Sequence, residues 1–232
     1  MKMKIFRNLR PLLLILLSVI MLQCESTYTD TDFGFNSSIS GLLKDAGGNT
    51  IFGDATANVL LIKLLGEGDK QSVDIRVLGD GTFQNTKLYP QKYTISIEGP
   101  VVKFEPTSVD LSDGNSKNVD LIVTPLVLPQ IINGTASGNS IDVQYTIVPA
   151  AGYTVKKKEI YCSTATYPTA STGSLTNIYA TKTVALPSEL SGTVKITGLV
   201  SGKKYYLRIG AQSSSTATSL FNYSNQIEIT TQ

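Results

Sequence analysis

From residue 37 onward the chain reads as short stretches in which apolar and polar side chains alternate. In "SVDIRVL" (72–78), Val73, Ile75 and Val77 alternate with Asp74 and Arg76. The same parity recurs at Tyr93, Ile95 and Ile97 in "KYTISIE", and at Val119, Leu121 and Val123 in "NVDLIVT". A period of two puts one set of side chains on a core and the other in water, which is the signature of a strand. "NVLLIKLL" (58–65) is a continuous apolar run of strand length. Between these runs lie "DAGG" (45–48), "GEGD" (66–69), "GDG" (79–81) and "SDGN" (112–115). They are turn chemistry, because Gly and Asn tolerate positive φ and Asp accepts local hydrogen bonds. No stretch carries a capped helical period over ten or more residues. Residues 37–125 are therefore expected to form one antiparallel β-sandwich.

"PLVLP" (125–129) marks a boundary, since two prolines fix φ, forbid a helix and favour an extended connection. Beyond it strands resume with "SIDVQYTIV" (140–148), where Ile141, Val143, Tyr145 and Ile147 share a face. "KEIYCST" (158–164), "GTVKITGL" (192–199), "KYYLRIGAQ" (204–212) and "NQIEITT" (225–231) follow. Residues 126–232 thus predict a second sandwich, with Tyr205 inward beside Leu207 and Ile209 and Tyr206 outward. The fold class is all-β, two tandem antiparallel sandwiches.

The N-terminus has a different pattern. Lys2, Lys4, Arg7 and Arg10 precede "PLLLILLSVIML" (11–22), an apolar run shorter than the ~20 residues of a spanning helix. Residues 1–23 read as an export signal ending just before Cys24. That position resembles a bacterial lipoprotein signal, in which the cysteine is acylated and anchors the mature chain, although Gln23 replaces the usual small residue. Residues 24–36 read as an acidic tether carrying Glu25, Asp30 and Asp32. Acidic residues there resemble the signal that sends Bacteroidetes lipoproteins to the cell surface, and a solvated linker gives the same composition. Without the four N-terminal cations, 16 basic side chains face 18 acidic ones, so no basic face favours nucleic acid.

Further motifs carry a family resemblance. "SISGLLKDAGGNTI" and "DGTFQNTKLYPQKYTISIEGP" resemble the carboxypeptidase-regulatory-like, prealbumin-type sandwich, with Phe83 and Tyr93 expected in its core. Leu199 followed by Tyr205 resembles the tyrosine corner of fibronectin type III domains, an immunoglobulin-like fold, and implies a Tyr205 hydroxyl bonded to nearby backbone. Together with "DLIVTPLV" at the junction, the arrangement resembles the Bacteroidetes lipoprotein family filed as domain of unknown function 3823. Gln91 departs from the turn residue more usual there. The resemblance implies a lipoprotein of the outer membrane associated with SusC/SusD-type glycan uptake systems, without a defined biochemical role.

The residues offer little catalytic chemistry. The chain has no His, which removes the Ser-His-Asp triad, the Cys-His pair and His-ligated metals. No phosphate-binding loop is present, and no cofactor is expected. Paired carboxylates could hydrolyse a glycosidic bond at separations of ~5–9.5 Å, but the acidic residues are scattered over turns and outward positions. Cys162 shares the parity of Ile160 and reads as a small buried hydrophobe. "DLSDGN" (110–115) lacks the EF-hand pattern and reads as a turn, and "KKK" (156–158) as a solvated strand edge.

Aromatic side chains are the remaining lead, because sugars stack their C–H faces on flat rings. Tyr153, Tyr167, Tyr179, Phe221 and Tyr223 fall in expected loops of the second sandwich. Convergence of Tyr153 with Phe221, Asn222, Tyr223 and Asn225 at one end would make a shallow glycan site; otherwise these rings pack their own loops. Two functions stay open: a glycan-binding accessory of an uptake system, or an interaction module bracing an outer-membrane complex.

Overall fold

The computed structural model describes residues 34–54, 59–171, 182–215 and 220–232, so Cys24 and Tyr179 lie outside the described residues. Those residues form strands and no helix, grouped into two packed sandwiches within one compact unit, 34–232. The all-β, two-sandwich expectation is borne out.

The first sandwich contains β1 (Ser37–Lys44), β2 (Leu61–Gly66), β3 (Val73–Arg76), β4 (Thr82–Leu88), β5 (Lys92–Glu98), β6 (Thr107–Asp110), β7 (Ser116–Asn118) and β8 (Leu121–Ile122). One sheet has the order β4-β1-β7, with β8 also on β1; the other has the order β3-β2-β5-β6. Strand β1 alternates buried and half-buried positions along its whole length, so Ile39 and Leu43 enter the core while Ser40 and Leu42 face outward. Phe83 and Tyr93 are buried as expected, and the Tyr93 hydroxyl donates to the Tyr89 carbonyl at 3.0 Å. Gln91 has a local role, because its amide donates to Asp69 at 3.0 Å and joins two neighbouring turns.

Two details differ from the expectation. Strands β7 and β8 run parallel to β1, since the chain crosses from β6 in the other sheet before entering beside β1. Val73 is exposed although Ile75 and Val77 are buried, because β3 lies at a sheet edge and starts outside the cover of the facing sheet.

The second sandwich contains β9 (Val127–Ser137), β10 (Ser140–Pro149), β11 (Val155–Ser163), β12 (Lys182–Ala185), β13 (Ser191–Ile196), β14 (Lys204–Ser213), β15 (Asn222–Tyr223) and β16 (Ile227–Thr230). Sheet β13-β10-β9 faces sheet β12-β11-β14, with β15 and β16 both on β14. Ile141, Val143, Tyr145, Ile147, Tyr205, Leu207 and Ile209 fill the space between them. The tyrosine corner is formed: the Val200 amide donates to the Tyr205 hydroxyl at 3.0 Å beside buried Leu199. Cys162 lies in this core, and burial pushes its thiol up to about 12, which leaves almost no thiolate at neutral pH.

"PLVLP" does more than connect. Its second half opens β9, an eleven-residue strand pairing with β10. The other edge of β9 is closed by side chains. The Val127 amide donates to Asn222 Oδ1 at 3.2 Å, Pro129 has no amide to offer, and the Ile131 amide donates to Asn225 Oδ1 at 3.0 Å.

Candidate functional site

The expected loop site in the second sandwich is not what these residues build. Phe221, Asn222 and Tyr223 are at most 5% exposed. With Tyr161 and Phe52 they make a third core, where the outer face of β11-β14-β15 meets residues 50–54 of the first sandwich. Asn222 spends both ends of its amide on backbone, accepting from Val127 and donating to Pro100 O at 2.9 Å. Asn225 is likewise engaged at both ends with Ile131. Tyr153 packs on the second core, away from a shared surface with the buried Phe221 group. Tyr167 is 39% exposed and rests on the first sandwich, its ring so close to Gly79 that a Cβ there would fall 2.5 Å from Tyr167 Cγ. Phe221, Tyr223 and Tyr167 join the sandwiches instead of lining an open cleft.

At the centre of that junction stands Arg208, on the outward parity of β14 and fully buried. Its guanidinium carbon lies 4.6 Å from the Tyr223 ring centroid, 5.8 Å from Phe52 and 5.9 Å from Tyr167. Nε donates to the Ser224 carbonyl at 3.0 Å. Burial lowers its pKa to about 10, opposed by Tyr223, Asp54 and Tyr167, so it stays protonated at neutral pH. Buried Asp54 of the first sandwich accepts from the Tyr223 hydroxyl at 3.3 Å, and burial with this nearby carboxylate pushes the Tyr223 phenol up. The three rings contribute cation–π attraction that offsets part of the desolvation.

An open concave surface lies elsewhere, on the outer face of sheet β4-β1-β7. It encloses about 600 Å³ and is lined by Ser40, Leu42, Leu78, Thr82, Gln84, Asn118 and Asp120, among others. Register explains its chemistry. Ser40 pairs with Gln84 on one side and with Asn118 on the other, so a hydroxyl stands between two amides in one row across three strands. At ~4.8 Å between strands the row spans roughly 10 Å. In the next row Leu42 pairs with Thr82, and Asp120 fills the gap between β7 and β8 by accepting from the Leu42 amide at 3.0 Å. The Lys44 ammonium, 2.6 Å from Asp120, together with that amide holds the Asp120 carboxyl below its usual range. Gly41 permits the close crossing, since a Cβ there would meet the Val119 carbonyl at 2.0 Å.

This arrangement offers hydrogen-bonding side chains on a rigid sheet. Among the described residues no three His, Cys, Asp or Glu side chains gather as a metal site, and no helix is long and apolar enough to cross a membrane. "DLSDGN" is a turn: Asp110 accepts from the Ser112 amide at 3.0 Å, and Asp113 from the Asn115 amide at 3.1 Å. Alternation alone identifies the outward parity of Ser40 and Gln84, but their alignment with Asn118 needs the register of three strands.

No protein-family model and no curated protein matches the chain. Solved structures do match. A DUF3823 family protein from Bacteroides ovatus gives a TM-score of 0.67 at 18% identity, covering 84% of this chain and 99% of that one. A DUF3823 family protein from Parabacteroides merdae gives 0.66 at 18% identity, covering 83% and 98%. A Bacteroides uniformis protein described as a "putative carbohydrate binding protein" gives 0.65 at 20% identity, covering 85% and 100%. At such identities the likeness is one of fold. The chain therefore has the two-sandwich fold of the DUF3823 proteins, in keeping with the resemblance carried by Asp80 to Tyr93 and by Leu199 to Tyr205.

Proposed function

We propose that this protein is a non-enzymatic glycan-binding lipoprotein of the cell surface, an accessory of a SusC/SusD-type polysaccharide uptake system held in the outer membrane by an acylated Cys24. The observation that carries the binding role is the Gln84–Ser40–Asn118 row, for which no hydrogen bonds within the protein compete among the described residues. Hydroxyl and amide groups projecting from a sheet are suited to the hydroxyls of a sugar, and the paired strands fix the spacing between them. The likeness in fold to the Bacteroides uniformis protein supports the same ligand class. The basic and apolar N-terminus ending at Cys24, with acidic residues behind it, supports the anchor and the surface location. The direct test is native affinity electrophoresis of the detergent-solubilised full-length protein through gels containing starch, xylan, galactomannan, arabinan, laminarin or pectin. Retardation by at least one polymer is expected, and none by any of them sinks the reading.

A second reading, an interaction module, draws on a different face. Ile132 and Val148 are 56% and 54% exposed on sheet β13-β10-β9, near half-buried Leu128, which pairs with Val148. Exposed apolar side chains on one sheet suit a protein partner. Co-purification with an outer-membrane partner that is lost in an Ile132→Ser, Val148→Ser variant would favour this reading.

A further inference from the structure

The polar row does not end the binding face. Phe83 and Leu88 point into the core, so Tyr89, directly after β4, emerges on the outward side, the side of Thr82 and Gln84. A register shift between Ser37 and Ile39 of β1 accommodates the extra residue on β4 and keeps Tyr89 outward. Tyr89 is 50% exposed and Phe35 40%, and their rings lie 4.4 Å apart at an interplanar angle of 40°. Two adjoining, partly exposed rings differ from the scattered single apolar residues of an ordinary surface.

Both rings are held in place. The Tyr89 carbonyl accepts the Tyr93 hydroxyl, Pro90 fixes the next φ, and Gln91 is tied to Asp69. On the other strand Ser37 Oγ donates to the Leu111 carbonyl at 2.9 Å, two residues after Phe35. Leu88 pairs with Ser37 and Gln84 with Ser40, so Tyr89 stands about four residue steps from Gln84 along the sheet, roughly 13 Å at ~3.3 Å per residue. A single sugar ring on the polar row does not reach the aromatic pair, but an extended oligosaccharide following β4 does.

We propose that Phe35 and Tyr89 form the aromatic subsite of this face, so that the first sandwich binds an extended glycan of several sugar units. The Gln84–Ser40–Asn118 row takes hydroxyl groups, and the pair stacks on the C–H face of a ring further along the chain. This rests on the glycan-binding reading above and adds a length requirement to it. The ligand is thereby an internal stretch of polysaccharide, and mono- and disaccharides engage the polar row alone.

The test uses the detergent-solubilised full-length protein and the same six polymers, followed by calorimetry with oligosaccharides of increasing length cut from whichever polymer retards it. For wild type, affinity should rise by about tenfold or more once the oligosaccharide is long enough to reach Tyr89, the order expected of one aromatic contact. Tyr89→Ala and Phe35→Ala should lose that rise and keep the affinity for the shortest oligosaccharides, Tyr89→Phe should retain it, and Gln84→Ala should weaken every length. Unchanged melting temperatures exclude misfolding. Wild-type behaviour of Tyr89→Ala at every length, with Gln84→Ala weakened, overturns the aromatic subsite and leaves the polar row standing. Absence of retardation by all six polymers overturns the glycan reading itself.

Discussion

The junction between the sandwiches is open to a quantitative test through Asn222. Its amide is 3% exposed and bridges the Val127 amide of β9 and the Pro100 carbonyl of the first sandwich. Asn222→Ala leaves the buried Val127 amide without a partner, whereas the Pro100 carbonyl still accepts from the Leu126 amide at 2.9 Å. At roughly 1–3 kcal/mol for one unsatisfied buried group, the expected loss is roughly 1–3 kcal/mol. For a chain of about 150–250 residues each kcal/mol lowers Tm by roughly 2–4 °C, so a fall of about 2–12 °C is expected in a calorimetric scan. Because the third core joins the sandwiches, the scan should keep one transition. Asn222→Asp adds a pH signature. A buried carboxylate facing the Pro100 carbonyl has its folded pKa raised above the unfolded value of about 3.9. The folded variant then holds its proton more tightly than the unfolded chain, so it is most stable near pH 4 and loses stability as pH rises toward 7. A loss below about 0.5 kcal/mol for Asn222→Ala, the range of ordinary surface changes, would refute this reasoning. So would a scan that splits into two peaks of which only one moves.

Three other outcomes are expected. Tyr205→Phe removes only the bond from the Val200 amide and should cost about 1 kcal/mol by denaturant titration. A native sample should leave Cys162 unlabelled by a thiol reagent at pH 8, whereas labelling should be fast in denaturant, because burial raises the thiol and blocks access. Radiolabelled palmitate should enter wild type and not Cys24→Ala, and equal labelling would remove the proposed anchor.

Local pattern made much of the fold legible. The inward parity of Tyr145, Tyr205, Phe83 and Cys162 follows from alternation, and so does the division into strands. Features that depend on distant partners were not legible. Tyr161 and Cys162 are adjacent and both buried, because the sheet holding them has a core on one face and the first sandwich on the other. Period-two reasoning assigns one of two neighbours to water and has no view of a second domain.

Phe221 and Tyr223 occupy a segment with the composition of a loop, and their burial depends on Phe52, far away in the chain. Strand β9 was hidden by its prolines, since the amides that close its edge come from Asn222 and Asn225, more than 90 residues later. The candidate groove has the same character. Ser40, Gln84 and Asn118 are unremarkable polar residues until two strand registers set them side by side, and Phe35 meets Tyr89 only across the end of that sheet.

The most direct test of the central claim is affinity electrophoresis of the full-length protein alongside a Gln84→Ala, Asn118→Ala variant in the six polysaccharide gels. The account predicts that at least one polymer retards wild type and that the variant, with an unchanged melting temperature, runs as it does in a gel without polymer. Equal retardation of wild type and variant, or none for wild type in any gel, would contradict it.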